Sequence, residues 1–469
     1  MFGSLMNRGG DCKAYPSVAG VGAYFLDKAG MKKMIANWNN YPAVEAREIS
    51  FDHDKEIIAK LTRTAIPHGN GRCYGDASLS GEVVNTLRYD KILAFDEVNG
   101  VIRCQSGLLL ADLLKVIVPR GWFLPVTPGT KFITVGGAVA SDVHGKNHHV
   151  DGSFSRHIRS MSVLTGLGQV ITCSPDSYSD LFWATCGGMG LTGIVLQVEF
   201  NLKRISTAYI RQKQIKARNL DEVMDLFESH GNSTYSVAWI DCLKGGDQFG
   251  RSILMLGEHA MTDEVKAVNF LESRQKSLFS VPFYFPSFVL NGFSVKLFNA
   301  LYYAKNYRKA MDSIVHYDGF YYPLDAVMQW NRIYGRRGFV QYQFVLPLES
   351  SKKGLTDILR RINHHGTGSF LAVLKLFGDQ DDLISFPMRG YTLALDFPVR
   401  PELFTFLDEL DIIVGDYGGR IYLSKDARMK KEIFWRTYPH APAFKEILSK
   451  YDPDNRFVSR LAQRLMLKP

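Results

Sequence analysis

Three glycine-rich loops hold the residues whose types and spacing suit chemistry. The first is Pro67-His68-Gly69-Asn70-Gly71-Arg72-Cys73-Tyr74-Gly75-Asp76. Gly69, Gly71 and Gly75 lie close together, so backbone N–H groups can converge on an anion with no Cβ in the way. Arg72 offers a cation beside them. The second loop runs Pro125-Val126-Thr127-Pro128-Gly129-Thr130 and then Val135 to His149. Its Gly136-Gly137-Ala138 run implies backbone lying directly against a ligand or another strand. His144, His148 and His149 would hold a metal only from a regular helix. Gly145 and Asn147 interrupt that spacing and no carboxylate or thiol cluster completes a shell, so no metal is expected. The third loop, Cys186 to Ile194, contains Gly188-Met189-Gly190-Leu191-Thr192-Gly193 and formally spells GxGxxG. A dinucleotide fingerprint follows a strand and opens a helix. Here a helix-like stretch precedes the glycines and a β-rich run follows them, which excludes a Rossmann site.

The elements that must position these loops fall into two textures. Up to about residue 203, short β-rich runs such as Val101–Cys104, Met161–Leu164 and Ile194–Phe200 alternate with glycine turns. One helix is predicted over Leu110–Ile117, where Leu110, Leu113, Leu114 and Ile117 recur at spacings of three and four. From about 204 to 415, helices predicted over Leu220–His230, Ala260–Ser277 and Gly354–His365 alternate with strands over Thr234–Ile240, Phe339–Leu346 and Tyr391–Phe397. That is an α+β pattern built on a sheet. Residues 416–469 add a glycine turn, a strand over Arg420–Leu423, a helix and a polar tail. Residues 1–35 read as a leader, with Met31 an alternative start.

The bulk properties exclude several classes. Of 469 residues, 46% are hydrophobic and 22% charged, which rules out disorder, collagen and coiled coil. Six scattered cysteines without a CxxC pair rule out a disulfide scaffold or zinc ribbon and fit a reducing compartment. No apolar run is long enough for a transmembrane helix, and the N-terminus is not a signal peptide. With 56 Lys and Arg against 47 Asp and Glu, the net charge of +9 permits nucleic acid, anionic lipid or a phosphorylated ligand without choosing among them. Ser277 to Tyr307 is crowded with aromatics, including Phe283, Phe285 and Phe288, and flanked by lysines and arginines. Such a segment suits a membrane interface or a buried subdomain.

Taken together, the loops resemble the vanillyl-alcohol-oxidase type of FAD-linked oxidoreductases, and within it the decaprenylphosphoryl-β-D-ribose oxidase branch. The matching strings are HGNGRCYGD, PVTPGTKFITVGGAVASDVHGKNHH, GSFSRHIRSM, LFWATCGGMGLTGI, YPLDAVMQWNR, GFVQYQFV, SFLAVLKLFG, IYLSKDARM and YDPDNRFVS. The resemblance implies a two-lobed FAD-binding domain over 36–203 and an α+β substrate domain with an antiparallel sheet over 204–415. The segment 416–469 would return to the FAD domain. Gly69, Asn70, Gly71, Arg72, Cys73 and Tyr74, with Gly129, Thr130, Gly136 and Gly137, would cradle the pyrophosphate. Ser141, His144, Gly145, Asn147, Cys186, Gly187, Gly190, Ile194 and Tyr422 would line the rest of the cofactor. Arg72 stands where many relatives carry the histidine that bonds the flavin, so FAD is expected to be non-covalent.

Substrate positions implied by the same resemblance are Tyr322, Arg332, Gln341, Gln343, Lys375, Thr392 and Lys425, with Trp330 and Phe377 nearby. Lys425 matches the family's active-site lysine and Tyr74 is its expected catalytic companion. A cation beside the ring and a polar group near the hydroxyl serve hydride and proton departure from a secondary carbinol. Thr392 and Ala394 stand where the mycobacterial branch commonly shows asparagine and cysteine, which puts the glycosyl group in question. The implied activity is oxidation of the 2-hydroxyl of a polyprenyl-phosphate-linked ribose, with a short-chain NAD(P)H-dependent keto-reductase completing epimerisation to arabinose. The expected location is cytoplasmic, peripheral on the inner membrane, with no nucleic-acid partner. A soluble sugar or alditol oxidase of the same fold, and a non-catalytic basic binding protein, are the alternatives.

Overall fold

Alternation of apolar residues at a period of two makes most of this chain sheet. In Ile194–Asn201 the positions Ile194, Leu196, Val198 and Phe200 are buried, while Gln197, Glu199 and Asn201 are half-buried. The computed structural model describes residues 32–61, 64–273, 279–286, 288–369 and 371–469.

A four-stranded sheet comes first, in the order Lys33–Ala36, Ala43–Ser50, Glu82–Asn85, Ile66–His68. Its last strand ends at His68 and so launches the first glycine loop. A five-stranded antiparallel sheet follows, in the order Ile92–Asp96, Val101–Gln105, Ile194–Asn201, Ile158–Leu164, Val170–Cys173. Against it pack the helices Leu110–Ile117 and Val135–Ala140 in a shared core with Ile102, Met161 and Val198. The helix Ser179–Thr185 precedes the third loop and a strand follows it, the reverse of a dinucleotide fingerprint.

An eight-stranded sheet forms the other half of the described fold. Its order is Ala310–His316, Tyr209–Ala217, Ser252–His259, Tyr235–Ile240, Val373–Phe377, Gly390–Pro398, Phe339–Pro347, Arg420–Ile421. The two faces diverge by residue parity. Val340, Tyr342, Phe344 and Leu346 join Leu355, Ile358, Leu359 and Ile362 of the helix Leu348–His365 in the core. Gln341 and Gln343 point to the opposite face. Among the described residues, no helix is long and apolar enough to cross a membrane.

Two expectations are corrected here. Ala260–Ser277 is not a helix: a single turn, Thr262–Glu264, is followed by irregular chain, and residues 274–278 lie outside the described residues. The backbone there serves neighbours instead, since Phe270 O accepts from Ala208 N at 2.7 Å and Glu272 O bonds the His316 ring. Val268 is left fully exposed, while Val265 is buried and Leu271 packs against the core from irregular chain, so the apolar residues do not share one helical face. The strand predicted to reach Leu423 stops at Ile421, because Leu423–Lys425 winds into a single 3₁₀ turn.

Candidate active site

The first loop is a set of close approaches. Gly71 adopts φ +58°, a left-handed conformation that suits glycine, and its carbonyl accepts from Trp38 N at 2.7 Å. A Cβ on Gly69 would stand 2.5 Å from Thr134 Oγ1, and one on Gly136 would stand 2.9 Å from Ser106 Cβ. Asn70 Nδ2 donates to Phe132 O at 2.7 Å, tying the first loop to the second. The Arg72 guanidinium lies 3.8 Å from the Trp38 ring centre and 5.4 Å from that of Phe132.

These loops face the eight-stranded sheet across a cavity of about 530 Å³. Cross-strand register places the sheet's contribution. Gln341 is opposite Asp396, Gln343 opposite Ala394, and Lys375 opposite Thr392, so these side chains share one wall. At one end the His144 ring packs against Phe377, Tyr422 and Phe386 at 4.7, 5.2 and 5.6 Å. Burial holds this imidazole neutral, well below the usual histidine range, helped by the charge of Lys375. Gln343 Nε2 lies 3.1 Å from His144 Nε2, and Tyr422 Oη donates to Ser141 O at 2.8 Å.

The 3₁₀ turn that ends the last strand delivers Lys425. Tyr74 N donates to Ser424 O at 2.9 Å, and the Lys425 ammonium sits 3.7 Å from the Tyr74 ring centre. Burial lowers Lys425 to about 8, opposed by the Asp396 charge. Lys375 is lowered to about 8 by burial and by Lys425, and makes no hydrogen bond or ion pair among the described residues. Lys146, which donates to Phe320 O, is lowered to about 7 by burial. Burial raises Asp396 to about 6 against hydrogen bonding from Gln341. It raises the Tyr74 phenol as well, far enough to keep it protonated at any working pH. The result is an enclosed site richer in cations than in carboxylates, suited to an anionic ligand.

The FAD binding domain family matches residues 56–174, which span the first two loops. Over 454 residues the chain is 37% identical to decaprenylphosphoryl-β-D-ribose oxidase of Mycolicibacterium smegmatis, covering 93% of this chain and 98% of that protein. The chain belongs to the decaprenylphosphoryl-β-D-ribose oxidase family. It is 33% identical over 374 residues to an uncharacterised protein in the mprA 5′ region of Streptomyces coelicolor, 77% of this chain and all of that one. A shorter match, 35% over 131 residues, is to D-lactate dehydrogenase of Anaerostipes hadrus and covers 26% of this chain and 27% of that one.

This family member is a FAD-dependent oxidoreductase. Its cavity fits the cofactor on independent grounds: Ser106 Oγ and His144 Nδ1, both on the lining, are buried with no partner among the described residues. Gly129, on the same lining, faces open space, since an added Cβ there would meet no protein atom within 4 Å.

Most of the residues singled out from the sequence meet on this lining. Gly69, Asn70, Gly71, Arg72, Cys73 and Tyr74 come from the first loop, and Gly129, Thr130, Gly136, Gly137, Ser141 and His144 from the second. Gly190, Gln341, Gln343, Lys375, Thr392, Tyr422 and Lys425 join them, as does Trp330. Others lie behind the wall. Asn147 is held by Pro125 O at 2.8 Å and Asp151 at 2.6 Å, and Gly145 packs against it. Cys186 is a buried thiol pushed well up by burial, Gly187 abuts Ser385, and Ile194 is sheet core. Tyr322 turns away to Thr127 Oγ1 at 2.6 Å, leaving Tyr321 and Phe320 on the lining. Arg332 donates to Val281 O and Pro282 O at 3.0 and 2.9 Å, outside the cavity, and Phe377 backs His144.

Several lining residues escaped the sequence reading. Asp396 continues the period-two series Thr392, Ala394, Asp396, so strand alternation alone was a signal for it. Lys146 lies inside the second loop itself. Trp38 and Ser106 reach the site from distant segments with nothing local in the sequence to mark them, whereas Tyr302 lies in the aromatic segment and Asp325 in the string YPLDAVMQWNR.

Proposed function

We propose that this protein oxidises the 2-hydroxyl of a polyprenyl-phosphate-linked ribose to the 2-keto sugar, the first half of epimerisation to arabinose. The supporting observation is that Lys375 and Lys425 line one cavity with Tyr74, Gln341 and Gln343, Lys375 having no hydrogen-bond or ion-pair partner among the described residues. Bound FAD supplies the hydride acceptor. Lys425, still protonated below about pH 8, stabilises negative charge as the carbinol oxygen gives up its proton. Tyr74 stays a neutral phenol, and its ring face holds the Lys425 ammonium in place. Lys375 and Gln343 orient the phosphate and sugar; lysine binds phosphate as a point charge.

On this reading Gly69 to Tyr74 and Gly129 to Gly137 bind the cofactor without a covalent link. The chain divides into a FAD-binding region over 36–203 and 416–469 and a substrate region over 204–415. The relative from Mycolicibacterium smegmatis is named for a polyprenyl-phosphate sugar, and a short-chain NAD(P)H-dependent reductase would consume the keto product.

The lipid chain calls for a membrane contact. The helix Gly292–Lys305 buries Val295 and Asn299 and turns Phe293, Leu297, Phe298 and Leu301 outward. Tyr302, on its inner side, lines the cavity. With exposed Phe283 and Phe288, and with Lys296 and Lys305 for anionic headgroups, it forms a lid and peripheral contact on the cytoplasmic side of the inner membrane. Phe283→Ser, Phe285→Ser and Phe288→Ser together should abolish vesicle binding while leaving FAD bound; unchanged partitioning refutes the contact.

The deciding experiment is the absorbance spectrum of the purified protein under anaerobic conditions. Bleaching of the flavin band by polyprenylphosphoryl ribose supports the proposal. Bleaching by a free polyol alone transfers the activity to a soluble sugar or alditol oxidase. A colourless protein with salt-dependent DNA binding overturns both.

A further inference from the structure

Oxidising a carbinol breaks a C–H and an O–H bond. Two electrons leave with the hydride to FAD, the O–H electrons become the second C–O bond, and one proton must reach solvent. Lys425 is protonated below about pH 8, the Tyr74 phenol is held neutral, and His144 Nε2 already faces the Gln343 amide. Of the other groups placed at the site, Asp325 accepts from Lys131 N at 2.9 Å and Lys146 donates to Phe320 O, so both are engaged.

A second, smaller cavity lies behind the catalytic wall, with a volume of about 50 Å³. Tyr334, His365, Thr367, Arg400 and Glu402 line it together with Asp396. His365, Gly366 and Glu402 are exposed and Asp396 is buried, so the cavity runs from solvent inward to that carboxylate. Among the described residues, Asp396 alone borders both cavities. A water needs about 10–15 Å³ of such volume and two to four polar partners. About three to five waters therefore fit, with the Thr367 hydroxyl and the His365, Arg400 and Glu402 side chains to hold them.

We propose that Asp396 takes the proton released from the substrate hydroxyl and passes it to solvent through this second cavity. This inference rests on the oxidation proposed above. Gln341 Nε2 donates to Asp396 Oδ1 at 2.6 Å and Tyr334 Oη to Oδ2 at 3.3 Å, which fixes the carboxylate between the two spaces. Asp396 N donates to Ser369 Oγ at 3.0 Å, anchoring the strand at the same point. Lys425 and Tyr74 face it from the catalytic side, and His365, Arg400 and Glu402 from the outer side. Burial brings this carboxyl to about 6, near enough to neutrality to accept a proton and to give it up again.

The test follows flavin bleaching and proton release together, by rapid mixing in weak buffer with a pH-indicator dye. Holoenzyme meets a short-chain polyprenylphosphoryl ribose anaerobically. In the unmodified enzyme, protons appear in step with bleaching. Asp396→Asn should slow bleaching at least tenfold, with recovery on adding formate, a carboxylate small enough for the outer cavity. Thr367→Phe fills that cavity without touching the catalytic wall. It should leave the flavin spectrum and the bleaching amplitude unchanged while proton release lags at least fivefold. His365→Phe, at the mouth, provides a second plug if Thr367→Phe loses flavin. Protons released in step with bleaching in both plugged variants, or an Asp396→Asn enzyme at the unmodified rate, overturn the relay. Failure of the unmodified enzyme to bleach overturns the oxidation itself, and the relay with it.

Discussion

Arg464→Met tests whether the helix Arg460–Arg464 holds the corner where Lys425 meets Tyr74. Arg464, in Arg460–Arg464, grips Asp76 through Nε and Nη2 at 2.9 and 2.8 Å, and Asp426 through Nη2 at 2.9 Å. Asp76 lies two residues after Tyr74, and Asp426 follows Lys425. Between them a Cβ on Gly75 would stand 1.7 Å from Asp426 O, so the two segments are flush. One guanidinium therefore holds together the two chains that bring Tyr74 and Lys425 into contact.

The side chains are 22% exposed for Arg464, 6% for Asp76 and 3% for Asp426. That places the cluster in the buried regime, where removing one partner costs about 3–5 kcal/mol, rather than among surface pairs worth about 0–1. At about 2.1 cal/mol/K of unfolding entropy per residue, the described residues unfolding as one unit give about 0.9 kcal/mol/K. Tm should fall by about 3–6 °C.

The sign of the pH dependence gives an internal check. Burial raises the Asp426 carboxyl, but the charges of Arg464 and Arg428 outweigh it and hold it below its usual value. A carboxylate lowered in the folded state adds stability above its unfolded pKa of about 3.9 and loses it as pH falls through the folded value. Without Arg464 that contribution shrinks, so the deficit is largest near neutrality and the two stability curves converge in acid. Differential scanning calorimetry at a series of pH values measures both. A Tm change under 1 °C, or a deficit independent of pH, refutes the argument. Arg464→Lys restores a charge without the fork and should recover only part of the loss.

Lys425→Met should retain FAD but slow anaerobic bleaching by about 10²–10³-fold, the scale of losing one preorganised charge-stabilising donor. Rapid-mixing absorbance measures it, and an unchanged rate removes Lys425 from the chemistry. Because Lys375 and Lys425 both lose their protons near pH 8, affinity for the phosphate-bearing substrate should hold up to about pH 7 and weaken between 8 and 9. Calorimetric titration at each pH would reveal a flat profile if neither lysine meets the phosphate. Gly75→Ala puts a methyl group into the Asp426 carbonyl, which is backbone and cannot swing aside. Overpacking of this kind costs about 1–3 kcal/mol or more, and the variant should purify with depleted flavin, read from its absorbance ratio.

What the sequence carried depends on whether a signal is local. Glycines that admit backbone to within van der Waals contact are local, and Gly69, Gly71 and Gly136 proved to lie on the cavity lining. Strand periodicity is local too, and the strands around Gln341 and Thr392 emerged within a residue or two of their expected ends. The same alternation contained Asp396, whose position two residues beyond Ala394 put it on the wall. The helix predicted over Ala260–Ser277 failed because apolar spacing states that a face exists without stating that its residues share one core; Val265 is buried while Val268 is fully exposed. Gly292–Lys305 is the converse. Its apolar residues point both inward and outward, so no clean polar face marked it as a helix. Tertiary events left no local trace at all. Asn147, in a loop of plausible ligand contacts, is held by Pro125 O and Asp151, and Trp38 enters the site only because the first loop folds back to meet it. Motif reading thus located the loops that line the cavity. The cavity that would let a proton leave is a property of four separate segments coming together, and only the fold could reveal it.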